Sequence, residues 1–529
     1  MRGLGWTGAG LTLALALAAP ATGQGTEPVE ERSAERLADD MAAGRATAES
    51  LTRAYLARIA AIDRQGPTLR SVVAINPDAI EQARVLDAER RAGRVRGPLH
   101  GVPVLVKDNV ETRENATTAG SLALKDNRTG RDAPVVARLR AAGAVILGKT
   151  NLSEWANIRS GSSMSGWSAV GGLVRNPYAL DRSACGSSSG TGAAIAASLA
   201  AVGVGTETDG SVICPASMNG LVGLKPTIGM VSRTHIVPIS HSQDTAGPMA
   251  RSVRDAAMLF GAMVGSDPAD PTTAGADARR RDYAAGLSTG ALRGVRVAVL
   301  RPDMSDALAA TYQRALDRLK AAGAVLVEVK QPALPGLGEA EFTVLKAELK
   351  ADLNAYLATT PPAVKTRTLA QVIAFNDRNA EREMPFFGQD IFVAAQAMPG
   401  LADSAYRTAR QRSRAQAAGA IDAMLKGARA TLLVAPSYGT PWLSDPVHGD
   451  QFSGPSASQL PAISGYPHLT VPMGLSRGLP AGLSFIGPAF SDAVLLNAGY
   501  AFEQAAKARV APTYRATVDA GSGLDGSGR

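Results

Sequence analysis

The chain has 529 residues, 45% hydrophobic and 19% charged, a composition that excludes a disordered or coiled-coil protein and suits a large α/β enzyme. Two cysteines exclude a cysteine-rich scaffold, and five scattered histidines without HExxH give no reason to expect a metal. The net charge of +8 is dispersed, with few aromatics between the basic residues, which argues against a nucleic-acid surface.

Arg2, the short apolar run at 11–19 and the small residues Ala19-Pro20-Ala21 have the layout of a secretory signal peptide. The run is shorter than the roughly 20 residues of a membrane span. Residues 1–21 are therefore expected to be a cleaved signal rather than an anchor, and 22–34 a flexible lead-in. The mature protein is expected in the periplasm or outside the cell, an oxidising setting. Thr47 caps a helix in which Leu51, Tyr55, Ile59 and Ile62 recur at helical spacing. Residues 102–106 predict a buried strand, 135–142 a helix ended by Gly143, and 144–147 another strand. A small-residue helix over 191–201 leads into the apolar 202–204. Strands are expected at 295–300, 324–329, 431–435, 469–473 and 483–486, and a helix at 493–506. Residues 265–285 read as a surface connection. The alternation predicts one α/β domain over 35–514, with a large, mixed, twisted sheet covered by helices on both faces. Residues 515–529 are expected to be a disordered tail, Gly/Ser-rich from 520.

Two motifs match expressions whose context they lack. Residues 143–150, GAVILGKT, fit the phosphate-loop pattern, but Ala-Val-Ile-Leu is itself the strand, where a flexible loop is needed. Residues 186–190, GSSSG, fit a nucleophile elbow with Ser188 as nucleophile and His448 or His468 as base. The elbow needs a strand running into the turn, and the preceding stretch is turn-rich.

Three segments carry chemistry when read jointly. Lys107 ends the apolar run Gly101-Val102-Pro103-Val104-Leu105-Val106. It is either solvated at the strand end or buried, with its pKa lowered until it serves as a neutral base. Ser183-Ala184-Cys185-Gly186-Ser187-Ser188-Ser189-Gly190 is a Gly/Ser loop. Gly205-Thr206-Glu207-Thr208-Asp209-Gly210-Ser211 places a serine after a tight turn, which can aim backbone N–H groups into one cavity. Serine needs a base to become a nucleophile, and Ser–Lys pairs are a known arrangement.

Together these segments resemble the amidase signature family, as do Asn219-Gly220-Leu221-Val222-Gly223-Leu224-Lys225-Pro226-Thr227, Gln243-Asp244-Thr245-Ala246-Gly247-Pro248 and Gly465-Tyr466-Pro467-His468. The resemblance runs from about Glu35 to Lys507. It implies a Ser–cis-Ser–Lys triad: Ser211 as nucleophile, Ser187 on a cis peptide as proton shuttle, and Lys107 as base. The N–H groups of Thr208, Asp209, Gly210 and Ser211 would bind the oxyanion, with no cofactor, metal or obligate protein partner. Asp209 and Ile213 stand where many relatives have Gly and Arg, and Ser189 where many have Gly. These variants, with Trp167-Ser168-Ala169 and Arg175-Asn176-Pro177-Tyr178, resemble the bacterial peptide amidase branch, which removes terminal amides from peptides and is exported. The alternatives are an arylamide or small amino-acid amide hydrolase, a serine esterase using Ser188, the amidotransferase subunit that makes glutaminyl-tRNA, and a secreted binding protein.

Cys185 and Cys214 flank the two serine loops. A disulfide is conceivable, although two buried free thiols are the favoured reading. Residues 342–356 and 384–390 are candidate walls of the site, with ordinary helix and loop favoured. Asn115, Asn127 and Asn151 lie in glycosylation sequons.

Overall fold

A computed structural model of the chain describes residues 29–518, so the signal-like segment, most of the lead-in and the Gly/Ser-rich end lie outside the described residues. Eleven strands form one mixed sheet. They are β1 (Val72–Ile75), β2 (Pro103–Lys107), β3 (Val145–Thr150), β4 (Val202–Glu207), β5 (Val222–Lys225) and β6 (Thr245–Ala250). The rest are β7 (Arg296–Leu300), β8 (Val325–Val329), β9 (Leu432–Pro436), β10 (His468–Ser476) and β11 (Leu479–Ile486). The spatial order is β1-β3-β2-β4-β6-β5-β10-β11-β9-β7-β8. Parallel pairing joins β3 to β2, β2 to β4, β9 to β7 and β7 to β8; the remaining neighbours are antiparallel.

Strands buried on both faces explain the near-continuous apolar runs. In β7 and β9, Val297, Val299, Leu432 and Val434 join the larger core with Phe260, Tyr312 and Phe502. Their neighbours Ala298 and Leu433 point the other way, onto Ala417, Ile421 and Met424 of the helix Ser404–Ala428. Helices therefore cover both faces: Val253–Met263, Asp306–Ala321 and Asp492–Ala506 on one, Ser404–Ala428 on the other.

Sheet topology positions the site. Because β2 and β4 are parallel and in register, Val104 with Val202 and Val106 with Val204, Lys107 and Thr206–Glu207 emerge at the same edge. Antiparallel β6 starts there too, with Thr245 opposite Glu207, so Gln243 and Asp244 reach the same place.

Several expectations meet their physical reasons. The helix after Thr47 is Ala48–Arg58, closed by reciprocal Thr47–Ser50 capping. The stretch before GSSSG contains a strand, Ala179–Ser183, paired with Arg175–Asn176. It stands outside the main sheet, so it is not the strand an elbow requires. Residues 342–356 lie inside the helix Leu337–Ala358. Ser33 caps the helix Ala34–Ala42, and Val29 is buried. At the other end Arg515 bridges Ala179 in parallel, so packed structure continues beyond residue 514. Asn115, Asn127 and Asn151 are all buried, with Asn127 and Asn151 fully so, and none of the three is presented on the folded surface.

Candidate active site

Lys107 is fully buried. Its Nζ lies 2.7 Å from Ser187 Oγ, 2.9 Å from Thr206 Oγ1 and 3.3 Å from the Thr206 carbonyl oxygen. No carboxylate forms an ion pair with it among the described residues. Burial pulls its pKa down to about 7, against the opposing pull of Asp244 and Glu207. A neutral amine suits this shell: two N–H groups donate to the Thr206 oxygens and the lone pair accepts from the Ser187 hydroxyl. Asn109 Nδ2 also donates to Thr206 Oγ1, 2.9 Å away, which fixes that hydroxyl.

A second strand-end lysine gives the contrast. Lys149, the lysine of the phosphate-loop look-alike, pairs with Asp108 at 3.0 Å and donates to Thr117 Oγ1 at 2.9 Å. It belongs to β3 and is fully buried, so GAVILGKT is strand and ion pair with no phosphate cradle.

Ser187 sits on a cis Gly186–Ser187 peptide bond. Its loop is pressed into the protein: a Cβ on Gly186 would lie 2.3 Å from Ser153 Oγ. The following helix, Ser189–Ala196, is buried along its whole length, and its small residues permit close approach to β3. A Cβ on Gly190 would lie 2.4 Å from the carbonyl oxygens of Ser71 and Asn151.

Ser211 follows the turn Thr208-Asp209-Gly210 and is 9% exposed. Gly210 has φ +77°, and a Cβ there would lie 1.9 Å from Tyr438 Oη, so only glycine fits. The Glu207 carboxylate accepts from the N–H groups of Val212 and Ile213, at 2.8 and 3.0 Å, and so fastens the chain just after Ser211. Among the described residues the N–H groups of Asp209, Gly210 and Ser211 carry no hydrogen bond. The Ser188 N–H donates to the Ser211 carbonyl, 3.2 Å away, joining the two serine loops.

Cys185 and Cys214 form a disulfide across these loops, with Cα atoms 5.9 Å apart. This corrects the free-thiol reading. The spacing left the distance open, and the folding of both loops around Ser211 closes it.

The elbow reading is overturned. Ser188 Oγ donates to the Thr206 carbonyl at 3.1 Å and accepts from the Thr206 N–H at 3.2 Å, so it braces β4. His468 is buried against Ser484 Oγ at 2.6 Å, its pKa pushed down to about 3 by desolvation. His448 is exposed and pairs with Asp445.

A cavity of about 830 Å³ runs along the flank of the loop that leads to Ser211, lined there by Asn109, Thr206, Glu207 and Thr208. Ser187 and Ser211 are not among its walls. His241, Asp352 and Arg410 line its far side, with Val344, Ala355 and Tyr356 of the helix Leu337–Ala358. Sequence reasoning missed Asp244, which accepts from Thr208 Oγ1 at 2.6 Å and from the N–H groups of Ile239 and Ser240. Burial raises its carboxyl to about 6. The Gln243-Asp244 pair was part of the resemblance, and its position ahead of β6 is the signal that could have found it.

A family model described as Amidase matches residues 50–496. The peptide amidase of Stenotrophomonas maltophilia is 50% identical, with a TM-score of 0.89 over 92% of this chain and 99% of that one. A probable amidase of Arabidopsis thaliana is 39% identical, covering 89% of each chain. A putative amidase of Arthroderma benhamiae is 35% identical over 87% of this chain and 79% of its own. With Lys107, Ser187 and the Ser211 turn gathered at one sheet edge, this likeness fixes the assignment: the chain belongs to the amidase family and is a hydrolase of amide carbon–nitrogen bonds.

Proposed function

We propose that the protein removes the terminal amide from C-terminally amidated peptides through an acyl-enzyme on Ser211. The observation that carries this reading is a buried Lys107 without a counter-ion, 2.7 Å from Ser187 Oγ. Neutral Lys107 takes the Ser187 proton as Ser187 takes that of Ser211, and Ser211 Oγ bonds to the amide carbon. The N–H groups of Thr208, Asp209, Gly210 and Ser211 face the developing oxyanion. The carbon–nitrogen bond then breaks, the proton returns along the same path to the leaving nitrogen, and ammonia departs. Water adds to the acyl carbon by the same relay and frees Ser211.

The peptide substrate is supported by the 50% identity to a peptide amidase. Export is supported by the signal-like Arg2 and residues 11–19, and by a disulfide that suits an oxidising compartment. The test is ammonia release from an amidated peptide by the lone chain without ATP, beside aniline release from the matching anilide. Preferential ammonia release, lost in Ser211→Ala, is expected. Faster anilide turnover would move the substrate to arylamides, and full activity in Ser211→Ala would refute the relay.

A further inference from the structure

Under the nucleophile turn lie two carboxyls that the relay does not use. Asp209 is half-buried, and its Oδ1 meets no N–H or hydroxyl donor among the described residues. Glu341, 5% exposed on the helix Leu337–Ala358, interacts with it. Gln243 Nε2 donates to Glu341 Oε1 and Gln459 Nε2 to Glu341 Oε2, each at 3.0 Å. The same Gln243 amide lies 3.3 Å from the Thr208 carbonyl. On the other side, the Tyr438 and Ser458 hydroxyls are 2.5 Å apart, against Gly210.

When two carboxyls face each other with little water and no cation between them, one keeps its proton to a higher pH. The cation that acts on Asp209 is the buried Lys225, which gives its own hydrogen bond to the Pro226 carbonyl at 3.1 Å. The Glu207 carboxylate is occupied by the N–H groups of Val212 and Ile213. The Ser458 hydroxyl also acts on Asp209, and a carboxyl proton shared with Glu341 is the donor left for Asp209 Oδ1.

We propose that Glu341 is a positioning residue: its protonated carboxyl donates to Asp209 and, through Gln243, grips Thr208, so the oxyanion turn is held from beneath. This rests on the reading of Ser211 as nucleophile. Burial and the neighbouring Asp209 push the Glu341 carboxyl up to about 8. Above that pH the pair holds two charges, and the turn loses its clamp. Lys107 must be neutral, so it sets the rising limb of a pH profile, and Glu341 sets the falling limb.

The test compares wild type, Glu341→Gln and Glu341→Ala. In wild type, kcat falls about tenfold from its plateau by pH 9, as the protonated fraction dictates. Glutamine keeps a donor that does not titrate. It retains neutral-pH turnover within about threefold and loses the falling limb, while Glu341→Ala lowers kcat roughly tenfold to a hundredfold with KM little changed. Infrared spectra of Ser211→Ala protein should show a protonated-carboxyl band that titrates near pH 8 and is absent after Glu341→Gln. Wild-type kcat, KM and falling limb in both variants would overturn the proposal and assign the limb to Lys225. No such band below pH 8 would overturn it equally. Turnover surviving in Ser211→Ala would instead refute the nucleophile, and the infrared band is read independently of it.

Discussion

Lys107 shows how one side chain's surroundings decide its chemistry. Its place at the end of an apolar run is visible in the sequence, and so is that of Lys149. What separates them is a partner: Asp108 stands beside Lys149, whereas among the described residues Lys107 hydrogen-bonds only to the uncharged oxygens of Ser187 and Thr206. Such partners come from segments far apart in the chain, so the sequence left Lys107 open between solvated and buried. With a pKa of about 7, Lys107 is protonated and useless as a base below neutrality. We predict that kcat/KM rises with pH through about 7, and that Lys107→Arg, always charged, is inactive across the range. Burying this amine also opposes folding. An unfolded lysine holds its proton up to about pH 10.4, whereas the folded one releases it near 7. The folded state is therefore penalised increasingly as pH falls from 10 to 7, and fully below that. Lys107→Met should abolish turnover and raise Tm near neutral pH, with the gain vanishing above about pH 10.5. A lower Tm at pH 7 would show that the lysine's hydrogen bonds outweigh its desolvation.

At the scale of elements, β2, β3 and β7 to β11 were legible because buried strands read as short β-branched and leucine-rich runs between turn signals. The ribbon Arg175–Asn176 with Ala179–Ser183 was not, because Asp181, Arg182 and Ser183 mimic a turn and their partner strand is only two residues long. The Asp209–Glu341 pair was equally hidden, since nothing local in the helix Leu337–Ala358 marks Glu341 as the partner of a residue beside Ser211. Two element-scale outcomes follow from the packing around Ser211. Gly210→Ala forces a Cβ into Tyr438 Oη at a positive φ. Its kcat should fall at least about a hundredfold while circular dichroism stays native, as loss of an oxyanion donor does. Reducing the Cys185–Cys214 bond, or replacing both cysteines by serine, should lower unfolding free energy by about 3 kcal/mol in denaturant titrations, given the 29-residue separation it closes. Identical midpoints with and without reductant would contradict the bond.

Across the whole molecule, the C-terminal end of the described chain is tied to the strand that delivers Cys185 and Ser187, and the N-terminal end is tied to that C-terminal segment. Arg509 pairs with Glu31, and Tyr178 Oη donates to the Val510 carbonyl at 2.5 Å. The Tyr514 N–H donates to the Pro177 carbonyl and the Leu180 N–H to that of Arg515. Composition favoured a disordered tail from 515, because side-chain polarity conceals backbone pairing of this kind. Truncation after Lys507 should lower Tm and also reduce kcat, since it frees Ala179–Ser183 immediately before the serine loop. Unchanged kcat in the truncated protein would show that the loop is held by the disulfide and the Ser188–Ser211 contact alone.

The proposed relay makes Ser211 alone the nucleophile, and only while Lys107 is neutral. A serine-reactive phosphonate, with the modified peptide located by mass spectrometry, tests it most directly. The account predicts one label per chain, on Ser211, rising in rate through about pH 7 and absent in Ser211→Ala and Lys107→Met. A label on Ser188 or Ser187 with Ser211 unmodified would contradict it.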